Sequence, residues 1–456
     1  QRAFYVVSDL ASVTLHEGLK IIGDEAFVGN PITAIAIPTS VSALGYEAFR
    51  SCTNLSSVTF ADASNLDDLE TNPFLATSWF DNHPDDYVMI DRFLIRYNGA
   101  SSDVVIPANV EVIVSLAVQT MPISITSIDL GSVVKIHEYG ISGYHPDLTS
   151  VHLPATLKYL GNNAVSSSTE SITSITWDAG FSPTFVSNVA FGMVSPYGVF
   201  QEVTADNLVI FGEYLHLGTQ ATGVITVPEG VKIIGTYAFR DASVTEVVLP
   251  SSLEEIQKMA FYNSAITTIT IPQNVKTIQE QAFASTAMLQ TVNFLDSSSL
   301  EHVGNDPFYN SPVKFNYTTP EGFLVIGDVF FGIAGVFDSL IMPVGVNVFA
   351  MWLSSPVYAN HLVIPANVMV ATDYFNPGNS VVTLDFAGFF PNNEFRLRFF
   401  GGFYDPEIVI PALATLVLPT DVYIYCHYVR EITTDVAFND IAYYFDFYHP
   451  SVVDLE

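Results

Sequence analysis

The side chains of this chain that could do chemistry are few, and their spacing argues against most of it. Ten histidines are scattered, with no His-x-His or His-Glu-x-x-His pair to bring two imidazoles onto one metal. No Gly-x-Ser-x-Gly, Gly-x-Gly-x-x-Gly or Walker sequence is present, so neither a nucleophile elbow nor a phosphate cradle is expected. The two cysteines, Cys52 and Cys426, are far apart, and a disulfide between them is not expected. Cys52 sits in a small-residue slot near the position where Ser285 aligns, which reads as a packed thiol without a base to activate it. Acidic groups cluster at Asp62, Asp67, Asp68 and Glu70, and again at Asp81, Asp85 and Asp86. Carboxylates of this kind can bind Ca²⁺, but the spacing is not that of an EF-hand loop, and solvated turns are the simpler reading. Asn54-Leu55-Ser56 and Asn316-Tyr317-Thr318 are acceptor sequences for N-glycosylation. The expectation is a chain with no catalytic residues, no cofactor and no metal centre.

The charge balance narrows the partners. The formal net charge is −32, from 47 acidic and only 15 basic residues. The imbalance is a shortage of bases, which argues against nucleic acid and against anionic membrane surfaces, since both require clustered Lys and Arg. Hydrophobic residues make up 49% of the chain, too many for disorder. No run of 18 apolar residues occurs, so no membrane span is expected. The first residue is Gln1, which suggests a processed precursor and a secreted, extracellular or cell-surface location.

What positions the side chains is a repeat. Prolines that follow an apolar-x-apolar triplet recur at Pro228, Pro250 and Pro272, in steps of 22 residues, and Pro343 to Pro365 is 22 again. Ala-Phe pairs keep the same step, at Ala26-Phe27 and Ala48-Phe49, then Ala238-Phe239, Ala260-Phe261 and Ala282-Phe283. The triplet alternates in and out and so reads as a short strand, ended by a proline that cannot donate to the next rung. One such coil cannot bury its apolar side, whereas a stack of them can. A longer period is superposed. Pro38 to Pro107 spans 69 residues, Pro154 to Pro228 spans 74, and Pro272 to Pro343 spans 71. Inside each span a second pair of strands is expected, at Tyr87–Tyr97, Leu208–Leu215 and Phe323–Phe330.

Leu44-Gly45-Tyr46-Glu47-Ala48-Phe49, Cys52, Leu55, Val58 and Phe60 resemble the BspA-like class of leucine-rich repeats, and Thr77–Asp85 looks like a wider segment of that class. The resemblance covers roughly residues 12–370. It implies a curved leucine-rich-repeat solenoid, mostly β, with short parallel strands joined by irregular or short helical connections. It also implies a secreted or surface protein of bacteria or protists that acts in adhesion and recognition. The solenoid is expected over residues 1–379, as about three super-repeats of roughly 70 residues plus plain coils. Residues 380–456 read as degenerate repeats that form an aromatic-rich C-terminal cap or an assembly region.

Two function classes follow. Outward strand positions offer a candidate partner face at Ser57, Thr59, Glu246, Thr268 and Thr270, too irregular for an ice-binding threonine array. Aromatic side chains crowd the C-terminal end at Phe399, Phe400, Phe403, Tyr443, Tyr444, Phe445, Phe447 and Tyr448. They read as a cap over the open core or as an interface with a second copy. The expectation is an extracellular, non-enzymatic structural protein that self-assembles into a filament or surface layer. The alternative is a surface adhesin that binds protein or glycan on its strand face.

Overall fold

The computed structural model describes residues 2–333 except 68, 119–124, 144, 168–170 and 192–198. Beyond them it describes residues 337–341, 343, 345–350 and the strand segments from Ala359–Ile364 to Tyr443–Phe445. Two compact units are present, Gln1–Thr204 with Val209–Tyr214, and Ala205–Leu208 with Leu215–Glu456. Each is a leucine-rich-repeat solenoid, almost entirely β, as the repeat predicts.

The second unit shows the coil most plainly. Strands Thr222–Thr226, Ser243–Val248, Thr268–Ile271 and Thr291–Phe294 pair in parallel. Their inward members Ile225, Val247, Ile269 and Val292 are buried, and the alternate residues face outward. Two-residue strands form a second parallel ladder, Ile233–Ile234, Glu255–Ile256, Thr277–Ile278 and His302–Val303. Ile234, Ile256, Ile278 and Val303 point into the same core.

A third ladder is built from turns. Phe239 N–H donates to the Ala260 carbonyl at 2.7 Å, Phe261 to Ala282 at 2.8 Å, and Phe283 to Pro307 at 2.8 Å. The next rung joins Asp241 to Tyr262 and Asn263 to Ala284, each at 3.0 Å. Tyr237, Asp241, Met259, Asn263, Gln281 and Ser285 all have positive φ, between 53° and 58°. A left-handed residue costs an L-amino acid on the order of 1–2 kcal/mol. Here it lets alternate N–H groups point toward the next coil, while those between them, such as Ala238 to Gly235 and Arg240 to Tyr237, donate within their own coil. The buried ring behind each turn holds the conformation in place. Phe239, Phe261, Phe283 and Phe308 stack at centroid distances of 5.0, 5.1 and 5.5 Å, nearly parallel.

The first unit repeats this plan. Phe4, Phe27, Phe49 and Phe74 stack at 5.2, 5.1 and 5.2 Å. Ala34–Ile37 pairs with Ser57–Phe60, and Asp103–Val105, Ser127–Asp129, Ser150–Leu153 and Ser174–Trp177 form a parallel sheet. Gly45 is required by close approach, because a Cβ there would lie 2.3 Å from the Asp24 backbone nitrogen of the preceding coil.

The longer period is a hairpin inserted between plain coils. Tyr87–Ile90 pairs antiparallel with Phe93–Tyr97, and Phe323–Ile326 with Val329–Ile333. Asp91 and Gly327 take positive φ at the first position of their two-residue turns, and Gly212, between Val209–Phe211 and Tyr214–Leu217, does the same. A helix of four residues precedes two of the hairpins, Ser78–Asp81 and Val313–Asn316. The Thr77 hydroxyl caps the first by accepting the Phe80 N–H at 3.2 Å.

Toward the C-terminus, Ala359–Ile364, Thr383–Phe386 and Thr415–Val417 pair in parallel, as do Tyr374–Phe375, Phe395–Phe400, Val422–His427 and Tyr443–Phe445. The cap or assembly surface expected there is a matter of side chains that lie outside the described residues. Phe403, Phe447 and Tyr448 lie outside them altogether.

Candidate functional site

The outward face of the longer strands in the second unit gathers three of the expected partner residues. Register places Val224 beside Glu246, Glu246 beside Thr268, and Thr268 beside Thr291. Thr270 stands beside Asn293 in the next row. Rows in a parallel sheet repeat at about 4.8 Å, so these side chains are in lateral contact range. Glu246, Thr268 and Thr270 line a shallow groove of about 420 Å³, together with Glu229, Val248 and Leu295. None of its lining residues is basic.

The groove is firmly built. Glu229 accepts the Ser251 N–H at 3.0 Å and the Ser251 hydroxyl at 3.2 Å, and the backbone bond holds its carboxyl below the ordinary value. Gly230 N–H donates to the Ser252 hydroxyl at 2.9 Å, and that hydroxyl donates to the Val231 carbonyl at 2.8 Å. Successive coils are thus tied at the groove's edge. Leu295 and Val248 add exposed apolar surface. The groove combines fixed negative charge, hydroxyls and small apolar patches, a mixture suited to binding and without a nucleophile–base pair.

Ser57 and Thr59 are exposed on the Ser57–Phe60 strand of the first unit, beside Ala34 and Ala36. That sheet has two strands, and the outward residues Ala34, Ala36, Ser57 and Thr59 are small. The sequon residue Asn54 is exposed in a turn. Asn316 is also exposed, but its amide donates to the Gln290 carbonyl at 3.3 Å and to the Gln290 side chain at 2.9 Å. Cys52 is buried, its thiol faces the Phe27 carbonyl at 2.9 Å, and burial pushes its pKa up. The buried residues three beyond each stacked phenylalanine, Ala242, Ser264 and Thr286, are its counterparts.

Among the described residues no three His, Cys, Asp or Glu side chains converge to hold a metal ion. Asp62 instead accepts the Ser64 N–H at 2.9 Å, a bond that lowers its pKa and marks a turn. Asp68 lies outside the described residues.

One constellation escaped the sequence reading. His152 touches the Thr176 hydroxyl through Nδ1 and the Asp178 carboxylate through Nε2, each at 2.9 Å. Asp178 also accepts the Ala155 N–H at 3.1 Å, and the His152 bond is the larger cause of its lowered pKa. The only hint was that His152 and Thr176 occupy the same outward position one coil apart, and register indeed pairs them. A hydroxyl–imidazole–carboxylate chain is the arrangement of a nucleophile with its base. Here the imidazole and carboxylate are each half exposed, and neither groove described in this chain includes them. The arrangement ties adjacent coils together.

Of the C-terminal aromatic residues, Phe399 and Phe400 lie on the strand paired with Val422–His427, and Tyr443, Tyr444 and Phe445 on the strand beyond it. No helix of the described residues is long and apolar enough to cross a membrane.

A family model of the BspA type leucine rich repeat region matches in six copies, over residues 1–81, 84–194 and 210–333. No curated protein matches significantly. Solved structures with similarity include the pneumococcal vaccine antigen PcpA, 16% identical, covering 91% of this chain and 82% of its own, with a TM-score of 0.26. A leucine-rich repeat protein from Eubacterium ventriosum is 14% identical, covering 83% and 79%, with a TM-score of 0.26. A leucine rich cell surface protein from Faecalibacterium prausnitzii is 16% identical, covering 77% and 90%, with a TM-score of 0.22.

Proposed function

This chain belongs to the BspA-type leucine-rich-repeat family, and on that premise we propose that it is an extracellular, non-enzymatic recognition module that captures a partner on its outward strand face. The observation that carries the reading is the groove in which Glu246, Thr268 and Thr270 stand together. Its strands are held by ladders on both sides, so capture needs little ordering of the backbone. The formal charge of −32 disfavours anionic partners and favours a neutral or cationic one, an extracellular protein or a glycan. Extracellular placement is supported by the family expectation and by the open sequon at Asn54.

Self-assembly into a filament or surface layer is the second reading, and the crowding of aromatic residues near the C-terminus is what favours it. Binding of the purified chain to arrayed extracellular proteins and glycans tests the first reading. The combined substitution Glu246→Ala, Thr268→Ala and Thr270→Ala should weaken capture at least tenfold without lowering Tm, since all three are surface positions. Unchanged capture would remove the groove from consideration. Light scattering that shows large polymers, lost on deletion of residues 440–456, would favour assembly instead.

A further inference from the structure

The first unit contains a second cleft, of about 360 Å³. It opens where the short helix and hairpin interrupt the plain coils. Tyr46 and Glu47 wall it from one coil, Asn72 from the next, Asp81 from the helix and Arg96 from the hairpin. Ligand clefts begin at roughly 300 Å³, so the space suits a small molecule.

Its polar groups are unevenly satisfied. Asn72 is 8% exposed. Its Oδ1 accepts the Phe74 N–H at 2.9 Å, which fixes the amide and leaves Nδ2 as the donor. That Nδ2 has no partner. A buried donor without an acceptor is costly and rare in folded proteins. The second unit shows the same slot satisfied from within, because Asp306 of Asp306-Pro307-Phe308 pairs with Lys314. In the first unit the slot carries an amide and no internal acceptor.

Arg96 lies over the Phe80 ring, 4.8 Å from its centroid, donates one N–H to the Phe80 carbonyl at 3.4 Å and meets Asp81 at 3.7 Å. Its guanidinium therefore keeps donors to spare. Asp81 supplies an exposed acceptor, the buried Glu47 carboxylate is held by Arg50 at 2.6 Å, and the Tyr46 ring, about half exposed, stands at the rim. An anionic ligand would face Asp81, and a cationic one would face Arg96. A neutral polyhydroxylated ring satisfies all of them. Its hydroxyls donate to the Asp81 carboxylate and accept from the amide and guanidinium, and its C–H face rests on an aromatic ring. We propose that this cleft binds a neutral sugar residue, free or at the end of a glycan.

The inference is independent of the strand groove and has its own test. Saturation-transfer NMR of the full chain would use glucose, galactose, mannose and N-acetylglucosamine, each free and as its methyl glycoside, with phosphate and lysine as charged controls. Binding by free sugars alone indicates a monosaccharide ligand, and binding by glycosides indicates a glycan end. Asn72→Asp keeps the acceptor for Phe74, reproduces the residue found at Asp306 and removes the free donor. It should weaken binding at least tenfold. Asp81→Asn, at an exposed position, should weaken it several-fold and guards against a folding defect in the first variant. Phe315→Ser, at an exposed position of the second unit, should leave it unchanged. The proposal is overturned if no neutral sugar gives a signal, if a charged control binds better, or if both variants bind like the wild type.

Discussion

Single carboxyl groups carry opposite pH signatures in this protein. Glu17 and Glu229 act alike in the two units, each accepting the N–H of a residue 22 positions on, Thr39 at 3.0 Å and Ser251 at 3.0 Å. The backbone bond is the largest cause of a lowered pKa at both. A depressed acid stabilises the fold above its unfolded value, and that contribution is lost as pH falls through the folded value. Glu255 is the reverse case, because burial, the largest cause, raises its carboxyl above 4.5 despite bonds from Gln279 and Gln257. A raised acid penalises the folded state at neutral pH, and the penalty vanishes once the group is protonated in both states. Glu255→Gln should therefore raise Tm at pH 7.5 and lose that advantage below about pH 4, as scanning calorimetry can measure. Equal Tm values at pH 7.5 would show that the buried carboxyl carries no penalty. Residue types announced the sequons and the packed Cys52. They did not announce Tyr237, Met259 or Gln281 as left-handed, since none of these favours that region. Only the ladder of the neighbouring coil fixes them.

At the scale of elements, the phenylalanine stacks and the strands share one core. Phe261 is fully buried, 5.0 Å from Phe239 and 5.1 Å from Phe283. Phe261→Ala should cost about 3–5 kcal/mol in urea unfolding, because neighbours held at fixed spacing cannot collapse into the gap. Phe315→Ser should change stability by less than about 0.5 kcal/mol, since that ring is 85% exposed. Similar losses for the two would mean the stack contributes little. The Ile-x-Ile-Pro strands were legible because alternation and proline both mark them. The hairpins were legible as a second apolar pair in each longer period. The two-residue strands and the turn ladder were not, because a two-residue element has no period to read. The Ser78–Asp81 helix is likewise too short for helical periodicity. The partner groove was half legible. Outward positions could be counted along each strand, but the edge formed by Glu229 and Leu295 comes from turns whose proximity only the stack creates.

Across a whole unit, each coil rests only on its neighbours, so length should be adjustable in whole coils. Removing residues 244–265, one 22-residue step, joins Ser243 to Ile266 and keeps Ile269 in the place of Val247. That variant should retain its β circular dichroism and a cooperative transition. Removing residues 244–254 alone should abolish both for the second unit, because every inward residue beyond the junction would turn outward. The ladders have one more consequence. In the second unit the Phe239, Phe261 and Phe283 N–H groups each donate from one coil to the next. Tension along the stacking direction would stretch those bonds end-on, a few at a time, and would not shear many at once. A coil that detached would release its 22 residues, about 75 Å of extended chain, before the next took the strain. Pulled from its two ends, such a stack should lengthen in steps of about 75 Å, which single-molecule force spectroscopy can measure.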